Sequence, residues 1–226
     1  VRAVLSGPVP EEAEARRALL ARVIHGEGGY AGDSETYEDP RNANLIRVTE
    51  RRRGLPVTIG LLWLHAAEAA GWAARGLDFP GHFLIAIDGT TRRGSVVVDP
   101  FGGGVALPAP ALRALIKRVE GPEAELRPGM LAPMSRRAVL LRLQTNIRLR
   151  RLQANELDGA LACTTDMLRL APDAAPLWRE AAVMNARLGQ LGAAIEAMDR
   201  FLELVPVGDA AARGREMIEE WRAQLN

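Results

Sequence analysis

The stretch "ALACTTDMLRLAPDAAPLW", which begins at residue 160, is echoed further on by "AAIEAMDRFLELVPVGDAA". Ala160 recurs as Ala194, Leu168 as Leu202 and Pro172 as Pro206, each 34 residues later. A unit repeating at this period cannot bury its apolar face alone, so neighbouring units must stack upon one another. Roughly the last two fifths of the chain are therefore committed to a stack of helices before any other feature is weighed.

Two helices per 34 residues, with a proline after the second, form the tetratricopeptide signature. Trp178, Gly189, Ala194 and Pro206 hold the consensus places of the second unit, and Trp178 reads as a core residue of the repeat. The first unit departs at Arg148, where a small residue is usual. A last helix, over about residues 208–225, is expected to cover the open end of the stack. Upstream the character of the chain changes. Glycine and proline punctuate the sequence as far as residue 130, and "EGPEAELRPGMLAP", 120–133, reads as a linker. The expected division is 1–130 for the first domain and 131–226 for about two repeats and a capping helix.

Within the first domain the patterns predict a helix from Pro10 or Glu11 to about Ile24, then a long polar loop, "GEGGYAGDSETYEDPRNAN". The segment 25–40 of that loop reads either as a lid over a cleft or as a mobile connection. A second helix is expected from Asp39-Pro40 to a stop at Gly54, and a third, apolar on all sides and hence buried, from Pro56 to Gly71. The period then changes. "HFLIAID" and "SVVVD" read as strands joined through "GTTRRG". If Asp88 faces Ser95, opposing residue numbers sum to an odd number, and His82 and Asp99 project from one face as neighbours. A histidine beside an aspartate is two thirds of a catalytic triad, in which a base takes a proton from a nucleophile and a carboxylate orients the base. The structural alternative is a histidine at a strand start and an aspartate capping the turn before Pro100.

Other groups carry less. The one cysteine, Cys163, lies on an Ala/Leu-rich helix and reads as a small buried hydrophobe. A single thiol makes no intrachain disulfide, which points to a reducing, cytoplasmic compartment. The start of the chain has no apolar run of a secretory signal, and no window approaches a membrane span. His25, His65 and His82 have no paired metal spacing, and "FGGG", 101–104, lacks the Lys-Ser/Thr of a phosphate loop, so neither metal nor cofactor is expected. Arg51-Arg52-Arg53 reads as favourable charge at a helix C-terminus. With 29 basic against 28 acidic side chains, the net charge of +1 supports neither a nucleic-acid nor a membrane partner.

The combination "YEDPRNANLIRVTERRRGLPVTIGLLWLHAAEAAGW", "GLDFPGHFLIAIDG" and "VVVDPFGGG" resembles the transglutaminase-like core of bacterial SirB-like proteins, in which tetratricopeptide repeats follow. The resemblance covers about residues 10–210. It implies an α+β fold of the cysteine-proteinase type, helices packed on an antiparallel sheet, followed by all-α helical hairpins. In that superfamily the triad is Cys, His and Asp, and His82 and Asp99 match its last two members. The cysteine would open the third helix, close to Pro56, where this chain reads Gly54-Leu55-Pro56-Val57-Thr58 and has no thiol. SirB-like members usually read Gly-Asn-Pro-Ile-Ser there, so Leu55 and Thr58 are further departures. Asn42 and Pro56 are expected to line the cleft.

Two functions are consistent with this. In one, a degenerate core and its repeats bind a protein or peptide as a regulatory or scaffolding module. In the other, an amide or ester is cleaved or transferred, with Thr58 as nucleophile, His82 as base and Asp99 as orienting acid. Binding is preferred, because a triad without an activated nucleophile gives little rate. Partner identity and oligomeric state are left open by the sequence.

Overall fold

A computed structural model describes residues 9–90 and 94–225. In chain order the first part contains α1 (Ala13–Ala21), a π-helical turn (Arg22–Glu27), β1 (Ala31–Gly32), a 3₁₀ turn (Pro40–Ala43), α2 (Leu45–Arg51), β2 (Arg53–Gly54) and α3 (Pro56–Ala69). The strands β3 (Ala74–Phe79), β4 (His82–Asp88), β5 (Ser95–Asp99) and β6 (Val105–Ala106) follow, and then α4 (Ala109–Glu120). The helices α5 (Arg136–Gln153), α6 (Leu157–Leu170), α7 (Ala175–Arg187), α8 (Leu191–Leu204) and α9 (Asp209–Leu225) complete the chain. The fold class is α+β, as expected. The chain forms two compact units, Val1–Leu140 and Leu141–Asn226, and the division falls within α5.

In the first unit β3, β4, β5 and β6 form an antiparallel sheet in that order. Residues 83–87 of β4 are all buried, which explains why its sequence is a continuous apolar run and does not alternate. On one face Leu84 and Ala86 join Leu77 and Phe79 against Leu112, Leu115 and Ile116 of α4. On the other, Phe83 meets α3 at Gly60. A methyl at Gly60 would fall 2.3 Å from a ring carbon of Phe83, and one at Gly76 would fall 2.9 Å from it, so the ring lies in a slot that only glycines leave open. Trp63, also of α3, is fully buried; it is met by Gly104, whose positive φ of 78° bends the turn after Asp99 over the indole.

Several expectations need correction here. The second helix does not run from Pro40 to Gly54. Asn44 interrupts it, its carboxamide oxygen accepting from the amides of Ile46 and Arg47 to cap α2. Its left-handed terminator is Arg52, with φ 56°, while Gly54 belongs to β2. The first helix continues past Ile24 as a π-helical turn to Glu27. The strand "ARGLDF" and the helix α4 carry charged residues that hid them from a simple pattern. The segment 120–133 is not a free linker: Ala124, Leu126, Met130 and Leu131 pack against the α4 side of the sheet, and Ala132 accepts from the Asp78 amide. Residues 91–93 of the expected "GTTRRG" connection lie outside the described residues.

The second unit follows the repeat. Ala160, Ala182, Ala194 and Ala211 have no exposed surface, as close helix contact requires. Gly189, with φ 74°, ends α7, and Asn155, 34 residues earlier, holds φ 58° at the corresponding end of α5. Asparagine tolerates this left-handed position when glycine is absent. Arg148 occupies the place that Ala182 holds one repeat later. It is buried and forms an ion pair with Glu180 of α7, while loss of hydration pushes its guanidinium below the usual range. Gly214, Ile218 and Trp221 of α9 close the stack.

Gly60→Ala is expected to destabilise the protein by about 1–3 kcal/mol, since the ring of Phe83 has no room to yield. Chemical denaturation measures this, and a change of under about 0.5 kcal/mol would show that the slot is looser than described.

Candidate functional site

The histidine and aspartate sit on the sheet as the parity argument required. Asp88 pairs with Ser95 and Ile85 with Val98. One further step sets Leu84 opposite Asp99, so His82 is a diagonal neighbour of Asp99 on the same face. His82 opens β4 after the tight turn Pro80-Gly81, with Gly81 at φ 67°. Asp99 also has a local structural role. Asp99 accepts the Phe101 amide at 2.9 Å, and its carbonyl accepts the Gly104 amide, so it caps the turn 99–104. Strand alternation groups His82 with Leu84 and Ala86, the side that packs on α4, whereas Phe83 reaches α3.

Thr58 is on α3, fully buried. Its hydroxyl lies 3.0 Å from both the Asn42 and the Leu55 carbonyl oxygens. A hydroxyl has one proton, and here it is shared between two backbone acceptors. The side chain fastens the first turn of α3 to the preceding segment. This arrangement does not fit a nucleophile, which needs its proton directed at a base and its oxygen open to a substrate. Pro56 fills the first helical position, where the missing N–H costs nothing.

Asn42 explains why Thr58 is held so firmly. Buried completely, it donates from its amide nitrogen to the Thr36 carbonyl at 2.7 Å and accepts from Arg51 at 3.1 Å, while its own carbonyl takes both Thr58 and the Leu55 amide. Arg51 also reaches the carboxylates of Asp33 and Asp39, each at 3.5 Å. Asp33, almost fully buried, accepts the Thr36 hydroxyl at 2.6 Å and its amide at 2.8 Å. The Thr36 hydroxyl, more than any other group, holds the Asp33 carboxyl down at about 2, with the Thr36 amide, Asn42 and Arg51 assisting against the cost of burial. From the sequence Asn42 is expected to line a cleft, and no such role is assigned to Asp33, Thr36 or Arg51; here Asn42 is fully buried. The Asp-x-x-Thr spacing of a local side-chain turn was the one available signal.

Cys163 is buried on α6 in the second unit, and burial pushes its thiol up, away from the thiolate that nucleophilic chemistry uses. A second histidine is bonded on both ring nitrogens: the Trp63 indole N–H donates to His25 Nε2 at 3.1 Å, and Nδ1 faces the Tyr30 carbonyl at 2.7 Å. A hollow of 590 Å³ in the first unit lies elsewhere, walled by Leu61, Leu64, Trp72 and Val139 with Glu68 and Arg136 paired at its rim.

Because the folded pKa of Asp33 is lowered from 3.8 to about 2, the stability it contributes is complete above pH ~4 and is lost as the pH falls through about 2. Its size is on the order of 2 kcal/mol. Asp33→Asn is expected to flatten the wild-type loss of stability between pH 4 and 2, read from unfolding midpoints; an unchanged slope would remove Asp33 from the network.

Comparison with known proteins agrees with both halves of this description. The family described as transglutaminase-like superfamily matches residues 1–145, and a tetratricopeptide repeat family matches residues 147–219. A UPF0162 protein of Xylella fastidiosa (strain 9a5c) is 31% identical over 194 residues, spanning 84% of this chain and 68% of that protein. A UPF0162 protein of Vibrio cholerae is 29% identical over 198 residues, spanning 88% of this chain and 73% of that protein. With its sheet-borne histidine and aspartate, its buried helix and its helical repeats, the chain belongs to the transglutaminase-like superfamily, within the UPF0162 protein family.

Proposed function

We propose that the chain is a SirB-like, non-catalytic member of this superfamily that works as a protein- or peptide-binding regulatory or scaffolding module. The observation that carries this reading is the state of Thr58, whose only hydroxyl proton is given to the carbonyls of Asn42 and Leu55 inside a closed network. The thiol of Cys163 is buried on α6 in the second unit. His82 and Asp99 then act as structural residues or as contacts to a bound chain. Tetratricopeptide stacks present surfaces suited to extended protein segments. In this one, α6, α7 and α8 enclose a groove of 490 Å³ lined by Leu161, Trp178, Asn185 and Ala197. No helix among the described residues is long and apolar enough to cross a membrane, and a lone unoxidised cysteine suits a cytoplasmic setting.

The reading is tested with nitrophenyl esters and short peptide amides. Wild type, Thr58→Val and His82→Ala are expected to share the uncatalysed rate. Thr58→Val should lose about 1–2 kcal/mol of stability, because two buried carbonyls lose their donor. Partner capture should survive both changes and fail on Arg200→Glu, at the exposed rim of the groove, with the fold intact. Turnover that needs both His82 and Thr58 would establish the hydrolase reading instead.

A further inference from the structure

The bonds of His25 determine its tautomer. The Trp63 indole N–H can only donate, so Nε2 is the bare nitrogen, and Nδ1 carries the hydrogen given to the Tyr30 carbonyl. The two rings stand 5.6 Å apart between centroids, tilted by 46°. A second proton has only Nε2 to occupy, where it would meet the indole hydrogen head on. Trp63 does not retreat: it is fully buried on α3, and a methyl on Gly104 would already fall 2.4 Å from it. The histidine, half-buried and outside regular α-helix, is the partner that moves.

Its location gives that movement a consequence. His25 lies in the π-helical turn, the kind of helical irregularity that often marks functional positions. Gly28 and Gly29 follow, the latter at φ 67°. Beyond them the loop 30–38 runs over the turn that Asp99 caps. Gly32 lies flat on Phe101, where a methyl would come within 2.4 Å of the ring, and Tyr37 meets the same ring edge-on at 5.9 Å between centroids. The Phe101 amide is the group bound by Asp99. Backbone bonds tie the middle of the loop to the β2 segment, the Ala31 amide to the Arg52 carbonyl at 3.0 Å and the Asp33 amide to the Gly54 carbonyl at 3.1 Å, and two side-chain fastenings flank them. One is the Asp33–Thr36–Asn42 network, which stays ionised at any ordinary pH. The other is the Tyr30 carbonyl on His25.

We propose that loop 28–38 is a strap over the Asp99 turn, held closed by neutral His25 and released when His25 takes a second proton. This goes beyond the binding function and does not depend on whether the site binds or cleaves. The charged groups around the ring are few. Asp99, from the end of β5, favours the protonated form. Arg17 of α1 is engaged with the Gly104 carbonyl at 2.7 Å and with Glu14. Arg22 and Glu27, on the histidine's own segment, face each other at 3.5 Å in solvent. Loss of hydration outweighs both the Tyr30 carbonyl and Asp99 and lowers the His25 pKa below its ordinary 6.5. The sign follows: above about pH 6.5 the open and closed forms are both neutral, whereas below it the open form binds a proton that the closed form refuses. Opening therefore becomes up to about tenfold more populated for each pH unit below that point, until the closed form itself titrates.

The test is hydrogen exchange of segment 28–38 in the full chain from pH 8 to pH 5, expressed as protection relative to the intrinsic exchange rate, together with the indole N–H resonance of Trp63. Protection is expected to fall about tenfold per pH unit below pH ~6.5, with the Trp63 resonance moving in step. His25→Gln keeps an acceptor for Trp63 and a donor for Tyr30 but does not titrate, so its protection should stay level; His65 and His82 remain in that variant as internal controls. Level protection in the wild type, or an equal loss in His25→Gln, overturns the proposal. Should His25→Gln fail to fold, Trp63→Phe removes the opposing donor. It should raise the His25 titration and shrink the loss of protection, and an undiminished loss would overturn the proposal equally.

Discussion

The seating of Phe83 between Gly60 and Gly76 is the contact on which the first unit depends. It brings the backbone of α3 and the backbone of β3 to either side of one aromatic ring, at distances no side chain would tolerate. Everything about the candidate site follows from that closeness. With α3 pressed on the sheet, Val57, Thr58 and Ile59 of its first turn are buried, and the polar groups buried there must find partners within the protein. Thr58, Asn42, Arg51 and Asp33 are the answer to that requirement: Thr58 and Arg51 both hydrogen-bond to Asn42, and Arg51 pairs in turn with the Asp33 carboxylate.

This changes how a hydroxyl at such a position is understood. In the superfamily's catalytic members the corresponding helix start carries a thiol, and the field of the helix favours its ionised form. A threonine lacks the acidity to exploit that field, and in a sealed environment its proton goes to the strongest nearby acceptors, the backbone carbonyls of residues 42 and 55. His82 and Asp99 keep their neighbouring places because the register of β4 and β5 sets them there, whether or not chemistry uses them. The resemblance to the transglutaminase-like core thus lies in the framework, and at the start of α3 the hydroxyl of Thr58 joins that helix to the segment before it.

The repeats make the complementary point. Where the period is obeyed, packing is close and uniform, as with the wholly buried alanines at 160 and 194. Where it is broken, the protein compensates locally: Asn155 takes over the left-handed role of glycine, and Arg148 brings a charge into a space meant for a methyl and has to be met by Glu180. Only the arginine of this pair is buried, and the cost of desolvating it consumes most of the attraction.

A good part of this molecule was legible in its residues. The 34-residue period dictated stacked helical hairpins and a capping helix because no other arrangement buries those faces. Pro56 and Gly71 bounded the buried helix, and simple alternation placed His82 beside Asp99, because strand geometry repeats every two residues. Local signals misled where two competed. The proline at 40 announced a helix that Asn44 then restarted, and the Pro/Gly-rich segment 120–133 resembled a linker although its apolar side chains had a core to join. What only the tertiary structure decided is which partner each polar group would find. The hydroxyl of Thr58, the carboxamide of Asn42 and the ring of His25 could each have served chemistry as readily as structure. Their roles were set by groups 16, 9 and 38 residues away, brought within hydrogen-bond distance by packing that no local pattern encodes.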